Sequence, residues 1–177
     1  MPKIRPLEFL PAPQRLDPAK DEVDVWRVDL DTVGSRQALR EILARYLGLP
    51  ANELRFERGR HGKPRLATPG AELGFNLSHS GSVALVAVAR REVGIDVERI
   101  RSKRPVDFYR RWADREARVK YLGTGLTGPA PPGSTEPAVH RVDVGPGYAA
   151  SVAILGPAKL RGWTFGPPLR QGVIGVS

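Results

Sequence analysis

Residues 82–89, SVALVAVA, form an unbroken run of small and branched apolar side chains. Such a run has no polar face to offer water, so it must be covered on both sides, as an interior strand or a short buried helical segment. The stretch that follows, VGIDVERI at 93–100, alternates instead. As a strand it turns Val93, Ile95 and Val97 to one face, and Asp96 and Glu98, with Gly94, to the other. The small apolar run has an echo, YAASVAIL at 148–155, and each run follows a helical pattern ending in the same three residues, Tyr46-Leu47-Gly48 and Tyr121-Leu122-Gly123. This repetition predicts an α+β chain built from two pseudo-symmetric halves.

The remaining elements fit around these runs. Val23, Val25 and Val28 about Trp26 predict a first strand. Ser35 is the expected N-cap of a helix over 36–47, with Leu39, Ile42, Leu43, Tyr46 and Leu47 on one face and Gly48 and Pro50 as its stop. Short strands are expected at 54–56 and 75–78. A second helix runs over 106–122 with Phe108, Trp112, Val119 and Leu122 as its apolar stripe. A hairpin over 139–155 turns at Gly145-Pro146-Gly147, and an edge strand is expected at 160–165. Residues 1–22 hold five prolines and are expected to wrap the surface irregularly, and TGPAPPGSTEP at 127–137 reads as a loop.

Composition narrows the function. The 177 residues contain no cysteine, which removes disulfides, thiolate metal sites and a cysteine nucleophile. No apolar run approaches the roughly 20 residues of a membrane span, and the N-terminus lacks the apolar core of a secretory signal, so a cytoplasmic protein is expected. The net charge of +9 attracts polyanions, whether nucleic acids, acidic proteins or phosphate-rich small molecules. Helix-turn-helix, zinc-finger and RNP signatures are absent from the sequence, which disfavours nucleic acid.

Four groups of residues could carry chemistry. Asp96 and Glu98 share one strand face, where they repel unless a cation lies between them, and an all-oxygen pair suits a hard ion such as Mg²⁺. A solvated strand face paired with Arg99 and Arg101 is the plainer reading. Glu116 and Lys120, four apart on a helix, make either a surface ion pair or a carboxylate for the metal beside a cation for phosphate. In Phe75-Asn76-Leu77-Ser78-His79-Ser80-Gly81, polar side chains interrupt an apolar strand; they could cap turns or donate to phosphate. A Ser/His/Asp hydrolase is disfavoured, because no G-x-S-x-G elbow is present and adjacent Ser78 and His79 do not face each other. Arg58-Gly59-Arg60-His61-Gly62-Lys63-Pro64 is a basic glycine loop without the Walker spacing.

Taken in order, these motifs are specific. Gly62-Lys63-Pro64-Arg65-Leu66, then Phe75 to Ser80, then Gly94 to Glu98, then Trp112 to Lys120 resembles the 4′-phosphopantetheinyl transferase superfamily, Sfp type. The resemblance covers roughly residues 35–155. It implies a compact unit of two α+β halves, 1–93 holding the nucleotide end of coenzyme A and 94–177 holding the metal site and the carrier docking face, with the active site in the cleft between them, in a monomer. It implies Asp96, Glu98 and Glu116 as ligands of Mg²⁺ (or Mn²⁺), Glu116 and Lys120 as catalytic residues, and Arg58, Gly62, Lys63, Pro64, Ser78 and His79 as binding residues for coenzyme A. The implied reaction moves 4′-phosphopantetheine to a serine of an acidic acyl- or peptidyl-carrier protein, which Arg101, Lys103, Arg104, Arg110, Arg111 and Arg118 would receive. Arg115 stands where relatives often have lysine.

Residues 30–36 and 100–108 cross regions where the resemblance implies longer segments in relatives. The alternative is therefore a weakly active family member retained as a binding module for coenzyme A or a carrier, with a basic nucleic-acid-binding protein as the remote option.

Overall fold

The computed structural model describes residues 4–59, 62–68, 72–123 and 135–166. Thirteen elements follow one another: β1 (Ile4–Arg5), β2 (Phe9–Pro11), β3 (Glu22–Asp29), α1 (Ser35–Leu47), β4 (Phe56–Arg58), β5 (Pro64–Leu66), β6 (Gly74–Ser80), β7 (Val83–Ala89), β8 (Val93–Arg99), α2 (Val106–Leu122), β9 (Ala138–Val142), β10 (Tyr148–Ile154) and β11 (Lys159–Thr164). They make a mixed α+β molecule with a five-stranded sheet, β2-β11-β3-β7-β6, a four-stranded sheet, β1-β9-β10-β8, and a small β4-β5 hairpin. Among the described residues no helix is long and apolar enough to cross a membrane.

The apolar run at 82–89 becomes β7, every residue of it buried. Its two faces go to two different cores. Val83, Leu85, Ala87 and Ala89 meet Val23 and Val25 of β3, and across from them Val93, Ile95 and Val97 of β8 with Val152 and Ile154 of β10. Ala84, Val86 and Val88 join Trp26 and Val28 beneath Ala38, Leu39, Ile42 and Leu43 of α1. One core thus lies between the sheets, and the second lies between the five-stranded sheet and α1. The alternation in β8 holds as read, with its valines and isoleucine in the inter-sheet core.

A shared order of strands runs through both sheets. In the succession β3-α1-β6-β7 the last strand lies between the other two, and in β8-α2-β9-β10 it does so again, all of these neighbours antiparallel. Both helices close on a left-handed glycine: Gly48 at φ 64° bonds back to Ala44, and Gly123 at φ 65° to Val119.

Several expectations are corrected. The proline-rich N-terminus is not wholly irregular, since β1 pairs in parallel with β9 and β2 with β11. These strands of two and three residues lie at sheet edges, where proline's missing N–H costs little. The strand near 160 is not an edge: β11 lies between β2 and β3 and pairs in parallel with both. Gly162 permits this, because a Cβ there would stand 2.2 Å from the Glu8 carbonyl oxygen. The strand expected at 54–56 sits slightly later, as β4. Gly34, not Ser35, occupies the N-cap of α1. On α2 the expected stripe is also displaced: its buried residues are Ala113 and Ala117, while Trp112 is 36% exposed. The cause is a close approach of helix to strand. A Cβ on Gly94 would lie 2.1 Å from the Ala117 carbonyl oxygen and 2.5 Å from the Tyr121 nitrogen, so only small residues fit where α2 rests on the sheet. Most of the loop expected at 127–137 falls outside the described residues.

Candidate active site

The face of β8 that carries Gly94, Asp96 and Glu98 lies under α2, and this contact assembles the site. Asp96 is 3% exposed. Its Oδ1 accepts from the Lys120 ammonium at 2.7 Å and from the Ser78 hydroxyl at 2.9 Å. Lys120 also donates to Ser78 Oγ at 2.8 Å, and the Val97 N–H reaches the same oxygen at 3.3 Å. Three separated motifs therefore meet in one hydrogen-bonded knot of Ser78, Asp96 and Lys120. The second oxygen of Asp96 and Oε1 of Glu116 are both buried without a hydrogen-bond partner.

The charges show what this environment lacks. Burial raises the pKa of Asp96 above the usual carboxylate range, against the pull of Lys120 and Ser78. Burial also raises Glu98 and Glu116, and in both the next cause is repulsion from Asp96. Lys120 lowers all three. A Trp112 hydrogen bond favours the ionised form of Glu98, and Arg115 that of Glu116. Three carboxylates near one another thus share a single half-buried ammonium, and two of their oxygens lack partners. Oxygen donors with surplus negative charge suit a hard divalent cation such as Mg²⁺. Among the described residues no three His, Cys, Asp or Glu side chains are already drawn together as a coordination shell; the fit rests on the donor chemistry and the two orphaned oxygens.

The second motif has a structural use that its sequence did not disclose. Asn76, Ser78 and Ser80 project from one face of β6 and accept, in turn, the N–H groups of Ile95 at 2.9 Å, Val97 at 3.3 Å and Arg99 at 3.0 Å. The rungs keep one constant offset, so side chains of β6 stand in for a neighbouring backbone and join the edge of one sheet to the edge of the other. Alternation places His79 on the opposite face, exposed. Ser78 and His79 therefore do not converge on one point.

The glycine loop becomes the β4–β5 hairpin. Arg58 pairs with Pro64 across it, Gly59 N–H bonds to the Lys63 carbonyl at 2.8 Å, and Gly62 takes φ 80°. The Arg58 side chain is exposed. Arg60 and His61 lie outside the described residues. Lys63 is largely buried: it donates to the Val93 carbonyl at 2.9 Å and pairs with Glu92. Burial lowers its pKa while Glu92 opposes that shift. A cavity of about 220 Å³ lies between the hairpin and the end of α2, lined by Gly62, Lys63, Pro64, Asn76, Val119, Lys120 and Gly123. It brings the predicted Gly62, Lys63 and Pro64 to the same space as Lys120. A larger cavity, of about 710 Å³, lies among Asp17, Lys20, Glu72 and Arg90; none of the carboxylates above lines it.

On the outer side of α2, Phe108 and Trp112 stack with centroids 6.2 Å apart, with Arg104 and Arg115 over their rings. Arg101, Lys103, Arg104, Arg111 and Arg118 are exposed; Arg118 pairs with Glu136 and Arg110 with Asp107. The residues missed from sequence are Asp114, Arg141 and Ser151, which form a buried polar group beside the site. Ser151 carried a faint signal as the lone polar residue inside YAASVAIL.

A family described as "4′-phosphopantetheinyl transferase, N-terminal" matches residues 27–91. The 4′-phosphopantetheinyl transferase HetI of Nostoc sp. is 30% identical over 179 residues, covering 67% of this chain and 76% of that protein. The human L-aminoadipate-semialdehyde dehydrogenase-phosphopantetheinyl transferase is 30% identical over 131 residues, 53% of this chain and 42% of its own length. The 4′-phosphopantetheinyl transferase gsp of Aneurinibacillus migulanus is 24% identical over 112 residues, 50% of this chain and 46% of its own. The chain belongs to the 4′-phosphopantetheinyl transferase family and is an enzyme of that class.

Proposed function

We propose that this enzyme is of the Sfp type and moves 4′-phosphopantetheine from coenzyme A to a serine hydroxyl of an acidic acyl- or peptidyl-carrier protein. The observation that carries the residue assignments is the knot of Ser78, Asp96 and Lys120 beside two buried, unpartnered carboxylate oxygens. Residues 1–93 and 94–177 are its two related halves, a reading supported by their shared strand order, and the reaction takes place where they meet.

Asp96, Glu98 and Glu116 are the residues that would hold Mg²⁺, with Mn²⁺ acceptable to the same oxygens. When bound, the ion supplies positive charge against the pyrophosphate of coenzyme A. The hairpin residues Arg58, Gly62, Lys63 and Pro64, with Ser78 and His79 of the next strand, serve the nucleotide end; a phosphate reaching Lys63 takes the place of Glu92. Lys120 turns its ammonium to the pyrophosphate and offsets charge on the departing group. Glu116 accepts the proton of the serine hydroxyl, directly or through a water, and its raised pKa makes it the stronger base. The serine oxygen bonds to the β-phosphorus, the bond to the bridging oxygen breaks, and adenosine 3′,5′-bisphosphate leaves. Such a transfer depends on placement and charge more than on covalent help. The exposed arginines around Phe108 and Trp112 steer and seat the acidic carrier.

The test is to incubate the purified protein with an apo carrier, coenzyme A and Mg²⁺ and to weigh the carrier. A phosphopantetheine adduct that disappears in Asp96→Ala supports the assignment. No adduct on any of several carriers, with coenzyme A still bound, makes the protein a binding module instead.

A further inference from the structure

One polar cluster, with Asp114 inside the Trp112–Lys120 motif, lies beside the proposed ligands and joins α2 to the sheet. Asp114 of α2 receives the Arg141 guanidinium as a fork, at 2.7 Å to Oδ2 from one nitrogen and at 3.1–3.2 Å to both oxygens from another. Ser151 donates to Asp114 Oδ1 at 2.6 Å. Arg141 comes from β9 and Ser151 from β10; they are direct partners across the sheet, and Ser151 is in turn the partner of Asp96 on β8. Asp96, Ser151 and Arg141 therefore form one row across three strands, on the face under α2. Ser151 is fully buried and Arg141 is 7% exposed.

Helix geometry links this row to the catalytic residues. Ala113 and Ala117 rest on the sheet. At about 100° per residue, Asp114 flanks that line of contact on one side, while Glu116 and Lys120 flank it on the other. The alanines are too small to interlock with neighbours, and Gly94 opposite them offers no side chain, so this contact leaves α2 free to slide or roll. A forked ion pair does not, because its two parallel N–H···O bonds fix direction as well as distance.

We propose that Arg141, Asp114 and Ser151 form a clamp that sets the slide and roll of α2 on the sheet and thereby positions Glu116 and Lys120 over Asp96. These are positioning residues, and the inference rests on the function proposed above. Loosening the clamp rotates Glu116 and Lys120 away from Asp96 while the hairpin side of the cavity stays in place. The transfer step and metal binding weaken, and capture of coenzyme A does not.

The experiment uses the full chain and three variants: Arg141→Lys, which keeps charge without the fork, Ser151→Ala, which removes one bond, and Asp114→Asn. Two readouts are taken well below each variant's thermal midpoint, namely steady-state transfer to an apo carrier and Mn²⁺ affinity by electron paramagnetic resonance titration without substrate. Expected for Arg141→Lys and Asp114→Asn are a fall in kcat of about tenfold or more and Mn²⁺ binding weakened by about threefold or more, with KM for coenzyme A within about twofold; Ser151→Ala follows with smaller losses. A folded Arg141→Lys or Ser151→Ala protein with wild-type kcat and Mn²⁺ affinity overturns the clamp and leaves the transferase reading intact. Losses of kcat that only track the unfolded fraction overturn it as well. A wild-type chain that neither modifies a carrier nor binds Mn²⁺ removes the function reading, and the clamp with it.

Discussion

The two helices sit on sheets of the same strand order, yet they are held in opposite ways. Helix α1 presses Ala38, Leu39, Ile42 and Leu43 into a layer containing Trp26, Val28, Val86 and Val88. Helix α2 buries only Ala113 and Ala117, and the rest of its grip is polar: Lys120 on Asp96 and Ser78, and Asp114 on Arg141 and Ser151. Bulky apolar packing is non-directional and stabilises. Small residues with buried, directional hydrogen bonds contribute less net stability but fix orientation more tightly. The first contact is a foundation, and the second, in the mechanism proposed above, holds the reacting groups in register.

That contrast can be broken or sharpened by substitution. The largest effect is expected at Glu116→Gln, where transfer should fall by about a thousandfold, because base and metal ligand go together; residual activity above about a tenth would remove Glu116 from the mechanism. Next is Ile42→Ala under α1, expected to lower stability by about 2–5 kcal/mol in denaturant unfolding while kcat per folded molecule stays within about twofold. A large kcat loss there would erase the distinction between the helices. Gly94→Ala should do both kinds of damage at once: the added methyl meets the Ala117 carbonyl, lifting α2 at about 1–3 kcal/mol and cutting activity by about tenfold or more.

A smaller effect concerns pH. Asp96, Glu98 and Glu116 all have pKa values raised by folding. Between the unfolded and folded values the folded chain holds more protons, so their stabilising contribution is complete below the unfolded value and is lost as pH rises through the folded one. Added Mg²⁺ should therefore raise the thermal midpoint more at about pH 8 than at about pH 5. An increment that is flat or inverted would mean that these carboxylates do not take the ion. By the same logic, Glu116→Gln without metal should melt no lower than wild type, and up to ~3 °C higher.

Legibility in the sequence followed periodicity. The alternation through β8 placed Asp96 and Glu98 on one face correctly, and the buried run at 82–89 announced an interior strand. The i, i+4 spacing put Glu116 and Lys120 together. What failed depended on partners distant in sequence. Phe108 and Trp112 look like a buried stripe by hydropathy, but Gly94 and the two alanines draw another face of α2 to the sheet. The bonds from Lys120 to Ser78 and from the β8 amides to Asn76, Ser78 and Ser80 carried no local signal either. Asp114, Arg141 and Ser151 meet only through strand register, which no local pattern encodes.

The ladder of Asn76, Ser78 and Ser80 against β8 has a consequence beyond the site. Both β6 and β8 end their sheets, and an open strand edge is a template on which another chain can add and aggregate. Here each edge seals the other, with the amides of Ile95, Val97 and Arg99 already taken by side chains. Those amides should exchange slowly with solvent although no neighbouring strand backbone covers them, and exposing them, as Asn76→Ala would begin to do, turns the strand bearing Asp96 and Glu98 into a sticky margin.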